Sequence, residues 1–372
     1  MNVVYFLRDD GACGHYRVAQ PLNKMAALSN GRHKVMEFRQ GSVELFKLEE
    51  YLKESHIVVI PRLAEERFIT LCKELKKAGQ KIVIDHDDNM FEVSPLSPHY
   101  DCCGLEEVRV KLQDGTLMEL WTDGKKNFSI EKNKKLREGF KEALSVADMV
   151  TVTQPHLREV YLEYNPNVVC LPNCVDLYQW SKDVKVQKND PKEVRMGWYG
   201  GHSHYEDWTL LSKVLPVVMD KHPNLKLVLM GTKFDGPLGG IKNKSRIEFH
   251  AWVPTPAYPY KAITLGLDFA IIHLVASKFN SCKSNIKWVE QGALAIPSVT
   301  SFVSPYKEEA TEFNGIFVEN NTIEGWVAGI SMMVEDPILR AKMGCEAYAT
   351  VAAKFDANKE WIQWEKAYST LL

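Results

Sequence analysis

The sequence predicts an α/β protein made of two doubly wound domains, and three observations carry that prediction. The chain has 372 residues, too many for one ordinary hydrophobic core and comfortable for two. Short apolar runs alternate with helical stretches, the rhythm of parallel strands covered on both faces. The opening order of strand, glycine-containing loop and helix occurs twice, at residues 2–28 and again at 194–219, and in such folds ligands meet the C-terminal ends of the strands.

Composition narrows the class. Hydrophobic residues make up 45% and charged residues 25%, as in a water-soluble globular chain. A formal charge of −2 gives no global field for nucleic acid or an anionic membrane. No apolar run reaches membrane-spanning length; 265–275 is broken by Gly266, Asp268 and His273. Residues 1–7 are too short for a signal peptide and run into Arg8-Asp9-Asp10. The eight cysteines lack paired metal-site spacing. Reduced thiols and a cytoplasmic setting are expected.

In the first half, strands are predicted at 2–7, 33–38, 56–60 and 81–85, with a helix over 65–78. Arg17, just inside the first helix, adds a cation to the loop that holds Gly11 and Gly14. The fourth strand runs into Asp85-His86-Asp87-Asp88. Crowded carboxylates raise one another's pKa, so this cluster supplies a candidate base, with Asp85, His86 and Asp87 as the catalytic candidates. Read alone, Asp85-x-Asp87 also matches a metal-binding DxD pair for Mn²⁺ or Mg²⁺. Residues 107–112 and 116–121 alternate as strands around an Asp114-Gly115 turn, a β-hairpin inserted at about 94–130. A long helix over 133–147, a strand at 148–153 and a helix from Pro155 follow, then the polar linker run 181–192. The lysine-rich run 125–141 reads first as a solvated helix face.

The second half begins with a strand at Val194 and the turn Gly200-Gly201, which lets backbone N–H groups approach a phosphate. Strands are predicted at 225–230, 246–250, 267–272, 298–300 and 317–318. The stretch 279–301 organises this half. Its middle is spaced as a helix from Lys283 to Ala293, with Gly292 and Ala293 small enough to bring it close to a strand. Ser284, Asn285 and the cations Lys283 and Lys287 at its start make a phosphate site. Glu290, further along, is placed to accept hydrogen bonds from sugar hydroxyls. Trp361, Trp364 and Tyr368 lie at helical spacing and are read as core residues of a C-terminal helix.

Several of these segments resemble the retaining GT-B glycosyltransferases. Ala147-Asp148 and Pro172-Asn173-Cys174-Val175-Asp176 are similar to that family's interdomain signature, with Cys174 in place of a glycine. Glu290, Ala293, Pro297 and Val299 resemble its nucleotide-binding helix; the family's first glutamate falls at Cys282. The usual arginine and lysine beyond the glycine turn are replaced by His202 and His204. The hairpin resembles inserts in phage-encoded glycosyltransferases.

The resemblance implies two Rossmann-like domains facing a cleft: 1–172 on the acceptor side, a linker over 173–192, a nucleotide-sugar domain over 193–354, and a helix over 355–372 packing back on the first domain. It implies transfer of a sugar from a nucleotide-sugar donor, UDP-linked first, to an acceptor hydroxyl with retention, and no required metal or other cofactor. Donor contacts fall on Gly14, Arg17, Gly200, Gly201, Lys233, His250, Trp252, Val253, Lys283, Ser284, Asn285, Lys287 and Glu290, with His15 on the first loop. The acceptor is a glycan or, in an alternative, a hydroxymethylated base in DNA flipped into the cleft. A further alternative is a catalytically silent nucleotide-sugar-binding protein.

Overall fold

A computed structural model describes residues 1–39, 45–111, 116–180 and 192–372, without the side chains of 45–47. The expected hairpin turn at Asp114-Gly115 and nearly all of the polar run 181–192 fall outside the described residues. The chain divides into two compact units, one of Met1–Pro172 with Trp361–Leu372, the other of Asn173–Glu360.

The first unit is built on a parallel six-stranded sheet. Its strands are β1 (Asn2–Leu7), β2 (Lys34–Arg39), β3 (Ile57–Pro61), β4 (Lys81–His86), β7 (Met149–Val152) and β8 (Val168–Cys170). Their order is β2-β1-β3-β4-β7-β8. Runs such as Ile57-Val58-Val59-Ile60 are buried throughout, as strands covered on both faces require. The chain leaves β1 for β2 on one side and then crosses to β3 on the other. The connections that follow β1 and β3 therefore leave in opposite directions, and their loops border a crevice at the carboxyl ends of the two strands.

The remaining strands of this unit, β5 (Val108–Lys111) and β6 (Leu117–Trp121), form the expected antiparallel hairpin. It is anchored by Trp121, whose indole N–H donates to the Pro95 carbonyl at 2.7 Å and whose ring meets Tyr100 and Phe128. Trp361, Trp364 and Tyr368 are buried on the helix Ala357–Ser369, and Glu365 from the same helix ion-pairs with Arg32 and lies within hydrogen-bond distance, 2.7 Å, of His33 Nε2.

The second unit repeats the plan with β9 (Val194–Gly200), β10 (Leu225–Gly231), β11 (Ile247–His250), β12 (Phe269–Ile272), β13 (Ser298–Ser301) and β14 (Ile316–Val318). The order is β11-β10-β9-β12-β13-β14, again parallel, so the switch lies between β9 and β12. Helices Trp208–Lys221 and Ile323–Glu335 cover one face with Trp208, Leu211, Trp326 and Ile330 in its core. Thr322 and Asp336 cap the amino ends of Ile323–Glu335 and Pro337–Lys354.

Two expectations for 279–301 change. The helix begins at Ile286, not Lys283; Ser277 caps a separate short helix, Lys278–Ser281, and a turn separates the two. Gly292 serves helix–helix packing instead of helix–strand packing: a Cβ there would stand 2.7 Å from Val351 and 3.2 Å from the Ala347 carbonyl. All eight cysteines are free thiols. Among the described residues no helix is long and apolar enough to cross a membrane.

Candidate functional site

Two constellations form, each at the switch point of its own sheet. In the first unit, the loops after β1, β3 and β4 surround a cavity of about 220 Å³. A single π-helical turn, His15–Ala19, follows the glycine loop and carries Arg17 inward. The Arg17 guanidinium is almost fully buried; Nε and Nη2 donate to the two Asp85 oxygens at 3.0 and 2.7 Å, and Nη1 donates to the Leu171 carbonyl at 2.5 Å. Thr151 donates a further hydrogen bond to Asp85 at 2.6 Å. Burial raises the Asp85 pKa, with Arg17 opposing it.

Asp87 has its own arginine. Arg62 Nε and Nη2 each donate to it at 2.6 Å, and Nη2 also reaches Cys13 Sγ at 3.1 Å. Burial opposes the Asp87 charge, but the Arg62 guanidinium wins and holds the pKa below the usual carboxylate range. Mutual repulsion among the carboxylates, the expected route to a base near neutral pH, therefore gives way to two arginine–carboxylate pairs. His86 is completely buried and neutral; burial, then the charge of Arg62, pushes its pKa down to about 3. Arg62 itself sits at φ +48°, a left-handed conformation uncommon for a side chain of this size.

In the second unit, β9 carries Trp198 and Gly200 to the switch point, and the helix Ile286–Ala293 points its first turn at the same place. The space over Gly200 is taken by a cation: Lys287 Nζ lies 3.2 Å from where a Gly200 Cβ would stand and 5.2 Å from the Trp198 ring centroid. Burial pushes Lys287 down to about 8; Lys283 adds to this, while Asp207 and Glu290 oppose it. Lys283 stacks over Phe279 at 4.5 Å. Ser284 Oγ accepts from Asn173 Nδ2 at 3.1 Å, which ties the turn before the helix to the Pro172–Asp176 segment. Glu290 is buried and accepts from the Tyr258 hydroxyl at 2.8 Å.

Residues not among the expected donor contacts complete the cluster. His204 Nδ1 lies 2.7 Å from Asp207, whose other oxygen accepts from Val275 N–H at 2.8 Å. Burial, then the charges of Lys287 and Lys283, holds His204 well below its usual pKa. Tyr199 and Tyr306 are pushed up by burial and by the carboxylate of Glu290, with Asp207 also acting on Tyr306. His273, just past β12, is buried with neither ring nitrogen partnered among the described residues. The glycine turn gave a signal for His204; Tyr258 and His273 gave none, because their positions depend on strand order.

The structure thus brings Gly200, Lys287, Lys283 and Glu290 into one electrostatic cluster. Gly201 follows in the turn, with no heavy atom within 4 Å of its Cβ position, and Asn285 is the N-cap of the helix without a side-chain capping bond. Trp252, half exposed, covers Gly231: a Cβ there, at φ +107°, would stand 2.6 Å from the indole. Val253 follows on the same loop. His250 Nε2 is held 2.7 Å from Glu248, which also ion-pairs with Arg195 and Lys226, and His250 Nδ1 lies 3.0 Å from Lys261. Lys233 pairs with Asp235 at 2.9 Å. Gly14 and Arg17 belong to the first unit; a Gly14 Cβ would stand 2.1 Å from the Asp9 carbonyl.

No known family model and no curated protein matches the sequence. Solved structures do match. Sucrose-phosphate synthase from Thermosynechococcus elongatus aligns over 100% of this chain and 99% of its own, with a TM-score of 0.64 at 14% identity. A glycosyltransferase from Rickettsia africae aligns over 100% and 98%, at 0.64 and 12%. HepE of Anabaena, solved in complex with UDP-glucose, aligns over 100% of both chains, at 0.62 and 13%. The fold is GT-B. At these identities the likeness establishes the architecture.

Proposed function

We propose that the chain is a glycosyltransferase that moves a sugar from a nucleotide-sugar donor, UDP-linked first, to an acceptor hydroxyl with retention at the anomeric carbon. The observation that carries this reading is the Lys287 ammonium held over Gly200 at the second unit's switch point, one helical turn before the buried carboxylate of Glu290. A diphosphate placed there would meet the amides of Gly201 and of the first helical turn, together with two ammonium groups. Those donors are fixed before reaction, so they would stabilise the charge of the departing nucleotide diphosphate. Lys287 and Lys283 would take the place of the arginine and lysine that the glycine turn lacks. Glu290, oriented by Tyr258, would hold the ribose, and Trp252 would border the nucleobase. The complexes of HepE with UDP and UDP-glucose support a UDP-linked donor here. The acceptor hydroxyl would enter at the first unit's cavity, beside Asp87 and Arg62 with His86 behind them.

A second reading, a nucleotide-sugar-binding protein without turnover, is favoured by one observation: Cys282, at the position of the family's first glutamate, is buried and offers the donor sugar no carboxylate. Calorimetric titration with UDP-glucose, UDP-galactose and UDP-N-acetylglucosamine, paired with a donor-hydrolysis assay, separates the two. Binding with release of free sugar supports transfer. Binding without release under every acceptor tried supports the silent reading, and absence of binding to any nucleotide sugar contradicts both.

A further inference from the structure

The cavity of the first unit has a composition that says what can enter it. Its charged lining is balanced: the guanidiniums of Arg8, Arg17 and Arg62 face the carboxylates of Asp9, Asp85 and Asp87. Each cation is already answered. Arg17 is bound by Asp85, Arg62 by Asp87 with Asp88 at 3.6 Å, and Arg8 by Glu65. An incoming phosphate or carboxylate would find no unanswered positive charge and several carboxylates close by. An aliphatic chain would fare no better, since burying it against paired ions would desolvate them without return.

What the lining does offer is hydrogen bonding in both directions. Arg62 sends Nε and Nη2 to Asp87, and its Nη1 has no partner among the described residues. Asp9 Oδ1 accepts from the Gly11 and Gly14 amides at 2.9 and 3.2 Å, which fixes a carboxylate at the rim. Hydroxyl groups both donate and accept, so adjacent hydroxyls on one ring match a fixed donor beside fixed carboxylate acceptors. The volume of about 220 Å³ lies below the roughly 300–1,000 Å³ of pockets for drug-sized ligands, enough for about one ring.

We infer that this cavity takes a single uncharged sugar residue as the acceptor terminus and discriminates against phosphorylated and carboxylated sugars. The inference rests on the glycosyltransfer reading and names the acceptor class of that site. Arg62, which lines the cavity and is held there by Asp87, is the specificity residue. Cys13, in the same lining, marks where added bulk would fill it.

Hydrogen exchange of the full chain tests this, with neutral methyl hexopyranosides compared at equal millimolar concentrations with glucose 6-phosphate and glucuronate, with and without UDP. At least one neutral glycoside is expected to slow exchange over residues 8–17 and 58–65, and to bind tenfold or more tightly than either charged sugar. Cys13→Leu is expected to abolish that protection, and Arg62→Lys, which keeps the charge but loses the second edge, to weaken it about tenfold. Equal or tighter binding of the charged sugars overturns the inference, as does protection that survives Cys13→Leu or the absence of protection by any neutral glycoside. UDP protection over 283–290 is read in the same experiment, so failure at this cavity is distinguished from failure of the donor reading.

Discussion

Replacing Lys287 by methionine keeps the length of the side chain and removes its charge, and the structure gives both the size and the pH dependence of the outcome. The ammonium sits over Gly200 with Asp207, Glu290, Lys283 and His204 as its charged and titratable neighbours. A hydrogen bond to a charged group contributes about 1.5–3 kcal/mol, so Lys287→Met should raise the dissociation constant of UDP roughly 10- to 150-fold. In the unliganded protein the pKa of Lys287 is about 8. UDP affinity should therefore be level below about pH 7 and fall as pH rises through 8, toward one decade per pH unit. The variant should show a flat profile over that range.

The sign for stability is opposite. The folded pKa lies below the unfolded value, so the folded state binds fewer protons between the two. The penalty of burying the charge is complete below about pH 8 and is relieved as pH rises toward the unfolded value. At neutral pH that penalty is roughly 3 kcal/mol at most, so Lys287→Met should raise Tm while weakening UDP. Calorimetric titration at pH 7 and pH 9, together with thermal unfolding, measures both. Unchanged UDP affinity at pH 7, or an unaltered pH profile, refutes the assignment of Lys287 to the diphosphate.

Other perturbations have equally definite outcomes. Gly200→Ala would place a methyl 2.6 Å from the Trp198 ring and 3.2 Å from Lys287 Nζ; UDP affinity should drop about as far as in Lys287→Met, measured by the same titration. Glu290→Gln removes the charge but keeps an acceptor for Tyr258; UDP should lose about 1–3 kcal/mol of affinity while UMP and UDP are affected alike, because the ribose is common to both. Asp87→Asn leaves half-buried Arg62 with only Asp88, at 3.6 Å, as its counter-charge, and should cost about 1–3 kcal/mol of stability. Because the wild-type Asp87 pKa is depressed, its contribution is present above the unfolded carboxylate pKa and lost as pH falls below about 4, and acid unfolding of the variant should lack that component. Trp364→Ala opens a cavity in the first unit and should cost about 3–5 kcal/mol in denaturant unfolding, with UDP binding retained.

Much of the fold was legible because the signal was local. Buried runs such as Val3-Val4-Tyr5-Phe6 and Leu227-Val228-Leu229-Met230 announce strands on their own, and the alternation of 107–121 announced the hairpin. The start of the helix near Lys283 was placed early because Ser277 and the turn through Asn285 divide what periodicity reads as one element. The donor-side cluster was half legible. Gly200, Lys287 and Glu290 sit in recognisable spacings and Asp207 follows the glycine turn in the same connection, whereas Tyr258 and His273 arrive from other crossovers and join only once β9 and β12 are neighbours. The acidic stretch after β4 was misleading in a specific way. Its carboxylates look mutually crowded in sequence, but Arg17 and Arg62 come from loops about 70 and 25 residues away and neutralise them one by one. Charge balance of that kind is a property of the folded chain and cannot be seen along it.

The most direct test is hydrogen exchange of the full chain with and without UDP at pH 7. Slowed exchange over 198–204 and 283–290, abolished by Lys287→Met, is the predicted result. Binding that leaves both segments unprotected, or no binding at millimolar UDP, would contradict the second unit's switch point as a nucleotide-sugar site.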